Sequence, residues 1–463
     1  MLEDVVVPET WSVEPLSKCV DVLDSQRKPI NSSERASRVG TIPYYGATGQ
    51  VGWIDDYLFD EELVLLGEDG APYFDKLKPI AYIIDGKSWV NNHAHVLRAH
   101  PDVTTNRYIK YYLDAFDFTD YVQGSTRDKL TQTSMNSIPV LLAPRPQQEI
   151  LIRTIEGFED ERVDVLAHLT SARRALERFR QALLADACSG RLTEDWRLAN
   201  RDAASLEHML IEREADRRTR SRANEEPIDL PIGELPSSYV LSSVGAVADT
   251  IEYGTSKRCD ASPDSGIPVL RMGNIQDGML DVQDLKYCTR DAEIGRLLLV
   301  DGDLLFNRTN SPELVGKSAV YRGAVPMSFA SYLIRVQLAN DFAEPDYVNY
   351  WINSAWGREW ARLAKTDGVS QSNINGTKLS MMPLPLPPIA EQREIVRRAS
   401  RLLTRADDLV SCVDAASMAV ERSRLSVLAK AFRGELIVNQ STDDSRSSRK
   451  RTHRREDELA MRS

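Results

Sequence analysis

Apolar residues recur at alternating steps of four and three along two stretches of the chain, 147–190 and 392–434. In the first, Leu151, Ile155, Phe158, Val165, Leu169, Ala172, Leu176, Phe179 and Leu183 keep one phase, with Arg162 as the polar break. In the second, Ile395, Ala399, Leu402, Ala406, Leu409, Val413, Ala416, Val420 and Val427 do the same, with Ser423 as the break. A 3.5-residue period held over several heptads predicts a coiled-coil seam. Two amphipathic core helices that never meet would give the same local pattern; the single phase kept through both stretches favours pairing. Each helix would be roughly 60 Å long at 1.5 Å per residue, a rigid spacer. Gly190 is placed to end the first.

The two stretches are copies of one element. Ala175, Glu177, Arg178, Arg180, Leu184, Ala185, Ala187, Gly190 and Leu192 all recur 244 positions later. The segments preceding them also run in parallel. Val7-Pro-Glu-Thr-Trp-Ser12 matches Leu235-Pro-Ser-Ser-Tyr-Val240, and Ile42-Pro-Tyr-Tyr-Gly46 matches Ile267-Pro-Val-Leu-Arg271. Arg107-Tyr-Ile-Lys-Tyr-Tyr-Leu113, in a helical stretch 106–116, matches Asp346-Tyr-Val-Asn-Tyr-Trp-Ile352. Short β-branched runs such as Leu63–Leu66, Ile80–Ile84 and Ala94–Arg98, bounded by glycines, predict strands. The expected fold class is α+β: two mixed α/β globular domains separated by two long helices paired as an antiparallel coiled coil. The expected domains are 1–145, a central helical spacer and linker 146–228, a second globular domain 229–388, a C-terminal helical spacer 389–438 and a disordered tail 439–463.

At 463 residues the chain exceeds a single core. No apolar run reaches 18 residues and the N-terminus is acidic, so neither a membrane span nor a signal peptide is expected. Five scattered cysteines without a C-x-x-C pair exclude a disulfide framework or zinc knuckle and fit the cytoplasm. The net charge of −11 argues against simple electrostatic binding of nucleic acid. Both globular segments are acidic, −7 for 1–145 and −5 for 229–388, whereas 389–463 carries +4. A chain so charged must grip DNA through local patches or with a basic partner.

Catalytic motifs are sparse. No P-loop is present, and Asn310-Ser-Pro-Glu313 lacks the second proline of an adenine-methyltransferase tetrad. Pro263-Asp264 with Asp284-Leu-Lys286 is a loose match to a Mg²⁺-dependent nuclease and is expected by chance in a chain rich in Asp and Lys. His93 and His95 would face the same way on a strand, but no third metal ligand is evident. No cofactor and no metal are expected.

The chain resembles the specificity subunits of type I restriction–modification enzymes. The residues that carry the likeness are Met382-Pro-Leu-Pro-Leu-Pro-Pro-Ile-Ala-Glu-Gln-Arg-Glu-Ile395 and Ala429-Lys-Ala-Phe-Arg-Gly-Glu-Leu436. Gly190-Arg-Leu-Thr-Glu-Asp-Trp196 and Asn91-Asn-His-Ala-His-Val-Leu97 add to it. The first copy departs from the junction pattern, with Pro146-Gln-Gln-Glu149. The resemblance implies a non-catalytic subunit. Each globular domain would be a target recognition domain reading one half of a bipartite, asymmetric DNA sequence. The helices would set the gap and dock two methyltransferase subunits, with ATP-dependent translocase/nuclease (restriction) subunits joining them. Other classes that fit parts of the pattern are a coiled-coil scaffold that binds only protein and a stand-alone nuclease.

Under this reading, loop-borne Arg, Lys, Asn, Gln and Tyr are the candidate DNA contacts, since they match base edges and phosphates. In the first domain these are Tyr44, Tyr45, Thr48, Gln50, Lys87, Asn91, Asn92, Arg127 and Lys129. In the second they are Lys257, Arg258, Arg271, Asn274, Asn307, Arg308, Lys317, Ser370, Gln371 and Asn373.

Overall fold

The computed structural model describes residues 8–124, 128–201, 210, 228, 230–323, 325–368 and 371–436. The arginine run at 217–222 and the tail 439–463 lie outside them. The chain divides into two compact units, one formed by 1–171 with 413–463 and the other by 172–412. The two long helices, Arg145–Ser189 and Ile389–Phe432, therefore each contribute to both units.

In the first unit, strand Ser12–Pro15 pairs antiparallel with Pro139–Leu142, the strand that feeds the first long helix. A four-stranded sheet runs Val20–Val22, Ala94–Ala99, Leu63–Gly67, Ala81–Ile84. A second sheet runs Gly49–Ile54, Ile42–Gly46, Lys87–Val90, Phe59–Asp60, with its middle pair parallel. Helix Asn106–Ala115 starts at Thr105, whose hydroxyl accepts from the Tyr108 N–H and so caps it. Its inner face, Tyr108, Ile109, Tyr112 and Leu113, shares one core with Leu151 and Ile155 of the first long helix and Leu428 and Phe432 of the second. Tyr108 and Tyr112 meet the Phe432 ring edge-on, with centroids 5.4 and 5.2 Å away. Each such fully buried large side chain contributes about 1.5–3 kcal/mol.

The second unit repeats this plan. Val240–Ser243 pairs antiparallel with Pro383–Leu386. A four-stranded sheet runs Ala248–Tyr253, Leu333–Leu338, Leu304–Asn307, Ser318–Val320. A three-stranded sheet runs Lys286–Cys288, Ile267–Leu270, Ser328–Phe329, again with a parallel pair. Helix Pro345–Asn353 stands where Asn106–Ala115 stands in the first unit. Its core includes Leu184 and Ala187 of the first long helix and Ile395 and Ala399 of the second.

The repetition extends to individual hydrogen bonds. Leu16 N donates to Ile138 O (2.8 Å), and Val244 N to Met382 O (2.9 Å). Tyr108 donates to Leu141 O, and Tyr347 to Pro385 O, each at 2.6 Å. Gln148 Nε2 bonds Ala143 O and Val103 O; Gln392 Nε2 bonds Pro387 O and Phe342 O. Both glutamines are buried. The junction that differs between the copies, Gln147 against Glu391, nonetheless meets an aromatic donor in each: Trp11 Nε1 bonds Gln147 Oε1, and the Tyr239 hydroxyl bonds Glu391 Oε1. The first long helix ends at Ser189, followed by Gly190 at φ 82°; the second ends at Phe432, with Gly434 at φ 77°. These are left-handed conformations that glycine adopts without penalty.

Within the first unit, Arg162 Nη1 bonds Glu421 and Arg424 Nε bonds Glu159, both at 2.8 Å. Residue numbers rise on one helix as they fall on the other, so the segments run antiparallel. The two polar breaks in the seam, Arg162 and Ser423, fall in this same stretch. Burial works against the charge on Glu159, but Arg162 and Arg424 outweigh it and hold the carboxyl below its ordinary value. Within the second unit Arg180 pairs with Asp407 and Arg398 Nη1 donates to Leu192 O (3.1 Å), the same antiparallel sense. Part of the expected seam is not covered: Val165, Phe179 and Leu409 are 42–54% exposed. Seam residues nearer the sheets, Leu151, Ile155, Leu183, Ile395 and Ala399, are buried instead, because globular elements pack against the helices there.

Candidate nucleic-acid interface

In the first unit, several loops meet at one corner. Glu68 O accepts from Leu130 N, and Glu68 N donates to His93 O, which brings 67–70, 91–93 and 128–130 together. The hairpin 46–49 joins them, since Asn91 N donates to Tyr45 O (3.1 Å). Thr48, at the hairpin tip, and Asn92 are exposed there. Gln50, also exposed, donates to Gly52 O (3.1 Å). Lys129 is exposed, with Nζ 3.3 Å from Glu68. Tyr45 is half-buried beside Tyr82, with ring centroids 6.0 Å apart.

Two of the expected contacts in this unit are taken up by the fold, and a third stands apart from the corner. Tyr44 is 1% exposed in a cluster with Ile54 and Trp89, so its ring serves the core. Asn91 is buried and its Oδ1 accepts from His93 N at 2.8 Å, which fixes the turn. Lys87 is exposed, but parallel pairing of its strand with 42–46 places it at the far end from Asn91, over the Tyr57 ring at 4.7 Å. Arg127 lies outside the described residues.

His93 and His95 do not share a strand face. His93 is in the turn before strand Ala94–Ala99, whereas His95 is 1% exposed with Nδ1 2.6 Å from Asp24 and Nε2 2.9 Å from Leu130 O. Among the described residues, Asp24, Glu68 and His95 are close enough to hold a metal ion. Arg27 already bridges the two carboxylates, 3.2 Å from Asp24 and 2.7 Å from Glu68, and supplies the countercharge.

In the second unit the matching corner is formed by 271–276, 307–310, 316–317 and 371–373. Ile374 N donates to Arg308 O (2.9 Å), and Asn307 N to Lys317 O (2.8 Å). The Arg308 guanidinium lies 4.7 Å from the Tyr253 ring and bonds Asn373 Oδ1 at 3.1 Å and Ser331 O at 3.3 Å. Asn373 Nδ2 donates to Thr309 (2.7 Å). Lys317 Nζ is 3.5 Å from Gln276. Gln371 is exposed, and Ser370 lies outside the described residues. Tyr253 was not singled out by sequence, because an aromatic at a strand end carries no signature of its own.

Here too, some candidates are occupied by the fold. Asn274 is buried, accepts from Arg271 N, and donates to Asp281 O and Asp284 O, so its amide is spent on the turn. Asn307 is fully buried and donates to Met272 O at 3.4 Å. Arg271 pairs with Asp284 at 2.9 Å. Lys257 is engaged by Asp291 and Glu293, away from this corner, and Arg258 is exposed beside it. The nuclease-like carboxylates are not assembled. Ile267 pairs with Cys288 and Val269 with Lys286, so Asp264 and Asp284 lie beyond opposite ends of that strand pair.

Residues 8–170 match the family model described as the type I restriction modification DNA specificity domain. The EcoKI specificity subunit of Escherichia coli K12 is 29% identical over 320 residues, 68% of this chain and 61% of that subunit's length. The StySPI specificity subunit of Salmonella potsdam is 24% identical over 458 residues, 93% of this chain and 90% of its own. A solved structure described as the basis of complex assembly and conformational transition of the type I R-M system has the same fold. It gives a TM-score of 0.63 at 15% identity, covering 93% of this chain and 99% of that one. No helix among the described residues is long and apolar enough to cross a membrane. Residues 8–170 thus carry a type I restriction modification DNA specificity domain, and the chain as a whole is similar to type I restriction enzyme specificity subunits.

Proposed function

We propose that this chain is the non-catalytic, sequence-specific DNA-binding subunit of a type I restriction–modification complex. Each globular domain, 1–145 and 229–388, is a target recognition domain that reads one half of a bipartite asymmetric target. Adenine-N6 methylation and restriction are carried out by partners: two methyltransferase subunits and ATP-dependent translocase/nuclease subunits. The long helices set the gap between half-sites. The observation that carries this reading is one backbone frame bearing two sets of corner residues. Leu130 N to Glu68 O and Ile374 N to Arg308 O are the same bond in the two units, yet Glu68 and Lys129 stand in one where Arg308 and Asn373 stand in the other. A conserved frame with rewritten side chains suits recognition of two different sequences, because bases are read by side chains and position is set by backbone contacts. A protein-only scaffold would not need the divergence at that corner.

Mapping N6-methyladenine in cells expressing the chain with methyltransferase subunits tests the proposal. A split motif with two unlike halves supports it. Methylation without sequence preference, or independent of this chain, overturns it.

A further inference from the structure

Strand register gives a residue-by-residue match between the two corners. Leu65 lies opposite Val96 in the first unit and Leu305 opposite Arg335 in the second. Val122 pairs with Leu130 and Gln123 with Lys129; Thr366 pairs with Asn373 and Asp367 with Ser372. With Leu130 N on Glu68 O and Ile374 N on Arg308 O, Glu68 corresponds to Arg308 and Lys129 to Asn373. The side-chain contact is conserved while its chemistry is exchanged: Lys129 Nζ to Glu68 at 3.3 Å, and Arg308 Nη2 to Asn373 Oδ1 at 3.1 Å.

The guanidinium groups at the two corners are held differently. Arg27 in the first unit is saturated: it bonds Asp24 O (3.1 Å), Ala94 O (2.6 Å) and Glu68 (2.7 Å), with 12% of its side chain exposed. Arg308 has no carboxylate partner among the described residues, and its Nη1 and Nη2 make only two longer bonds to neutral oxygens, while its Nε is buried without a partner. The Tyr253 ring holds the plane of the group by a cation–π contact without using its donors. An arginine placed this way has donors to spend on a ligand that offers paired acceptors, as the O6 and N7 edge of guanine does.

Resting on the DNA-reading function proposed above, we infer that Arg308, set by Tyr253 and Asn373, is a specificity-determining residue for a guanine in the half-site read by the second unit. In the first unit the positive charge sits instead on Lys129, the counterpart of Asn373; tied to Glu68, it acts at the matching place in the other half-site.

The test uses the full chain assembled with its methyltransferase subunits. Wild-type methylation first establishes the split motif; if no motif emerges, it is the DNA-reading function that fails, not this assignment. Arg308→Lys keeps the charge and the stem but loses the planar fork. It is expected to relax one guanine position in one half-site by roughly 10- to 100-fold in preference, leaving the other half intact. The double variant Arg308→Glu/Asn373→Lys installs the pair already present at the matching corner of the first unit, and is expected to alter the same half-site. Lys129→Ala is expected to act only in the other half. An unchanged motif in both Arg308 variants, or equal changes in both halves, overturns the assignment. Melting of each complex is measured alongside, and Arg308→Lys, the milder change, decides the matter if the double variant does not assemble.

Discussion

Arg424 Nη2 lies 2.6 Å from Asp114 Oδ2, joining the second long helix to the first globular domain across 310 positions of sequence. Asp114 is fully buried, and its other oxygen accepts from Ile80 N and Ala81 N, while Lys110 stands 3.2 Å away. Burial disfavours the charge on Arg424, but Asp114 and Glu159 outweigh it and raise its pKa further. In the second unit the position of Asp114 is taken by Asn353, whose Oδ1 accepts from Ser318 N (3.3 Å). With no charge there, the matching arginine, Arg180, pairs with Asp407 instead.

Removing one member of an isolated buried pair costs about 3–5 kcal/mol. Lys110 remains beside Asp114 and Arg162 beside Glu159, so Arg424→Ala should lower stability by part of that, no more than about 3 kcal/mol. Arg180→Ala, whose pair is partly exposed, should lower it by less. Arg424→Met combined with Asp114→Asn, the amide the second unit already uses, should recover part of the loss. Urea denaturation of the four proteins checks the order.

Gly434 and Gly190 should both resist substitution. A Cβ on Gly434 would lie 2.8 Å from Pro8 Cγ, and one on Gly190 would lie 2.8 Å from Pro236 Cγ and 2.9 Å from the Tyr239 hydroxyl. With positive φ added, each Gly→Ala change is expected to cost at least about 1 kcal/mol. Gly157, with open space around it, should accept alanine with little loss or a gain. Thermal melting of the three variants distinguishes them.

Acid should weaken the second unit through Glu394. The bonds it accepts from Arg397, helped by Arg398 and opposed by burial, hold its carboxyl at about 2, against an ordinary 4.5. Because the folded value is depressed, the stabilisation is complete above about pH 4.5 and is lost as pH falls through about 2. Glu394→Gln should lose less stability than wild type between pH 5 and pH 2. Equal losses in a pH-dependent melting series would show that the carboxylate does not contribute.

Charge sets the DNA affinity of the isolated chain. Both globular segments are acidic, and phosphate neutralisation dominates binding. The chain alone should bind a specific duplex weakly and with a shallow salt dependence. Methyltransferase subunits should tighten binding and steepen the slope of log affinity against log salt. A titration at several salt concentrations measures both.

The long helices and the internal repeat were legible because period and self-similarity are local properties of sequence. The register of pairing was not: Arg162 reads as a defect in the seam until Glu421 is seen opposite it. The exposure of Val165, Phe179 and Leu409 also escapes a periodicity argument, since it depends on where globular elements cover the helices. At the candidate interface, loop composition pointed to residues that the fold gathers at two corners, but not to the role of each. Asn274 and Asn307 have the chemistry of base readers, yet one is spent on a turn and the other is enclosed. Tyr253, which positions Arg308, is invisible without the fold.

The central claim is that the two globular domains read separate halves of one target. Exchanging residues 229–388 for the corresponding domain of another family member, and then sequencing N6-methyladenine sites, tests it directly. The account predicts that one half of the methylated motif changes while the other half is retained. A motif altered in both halves, or in neither with the complex intact and active, would contradict it.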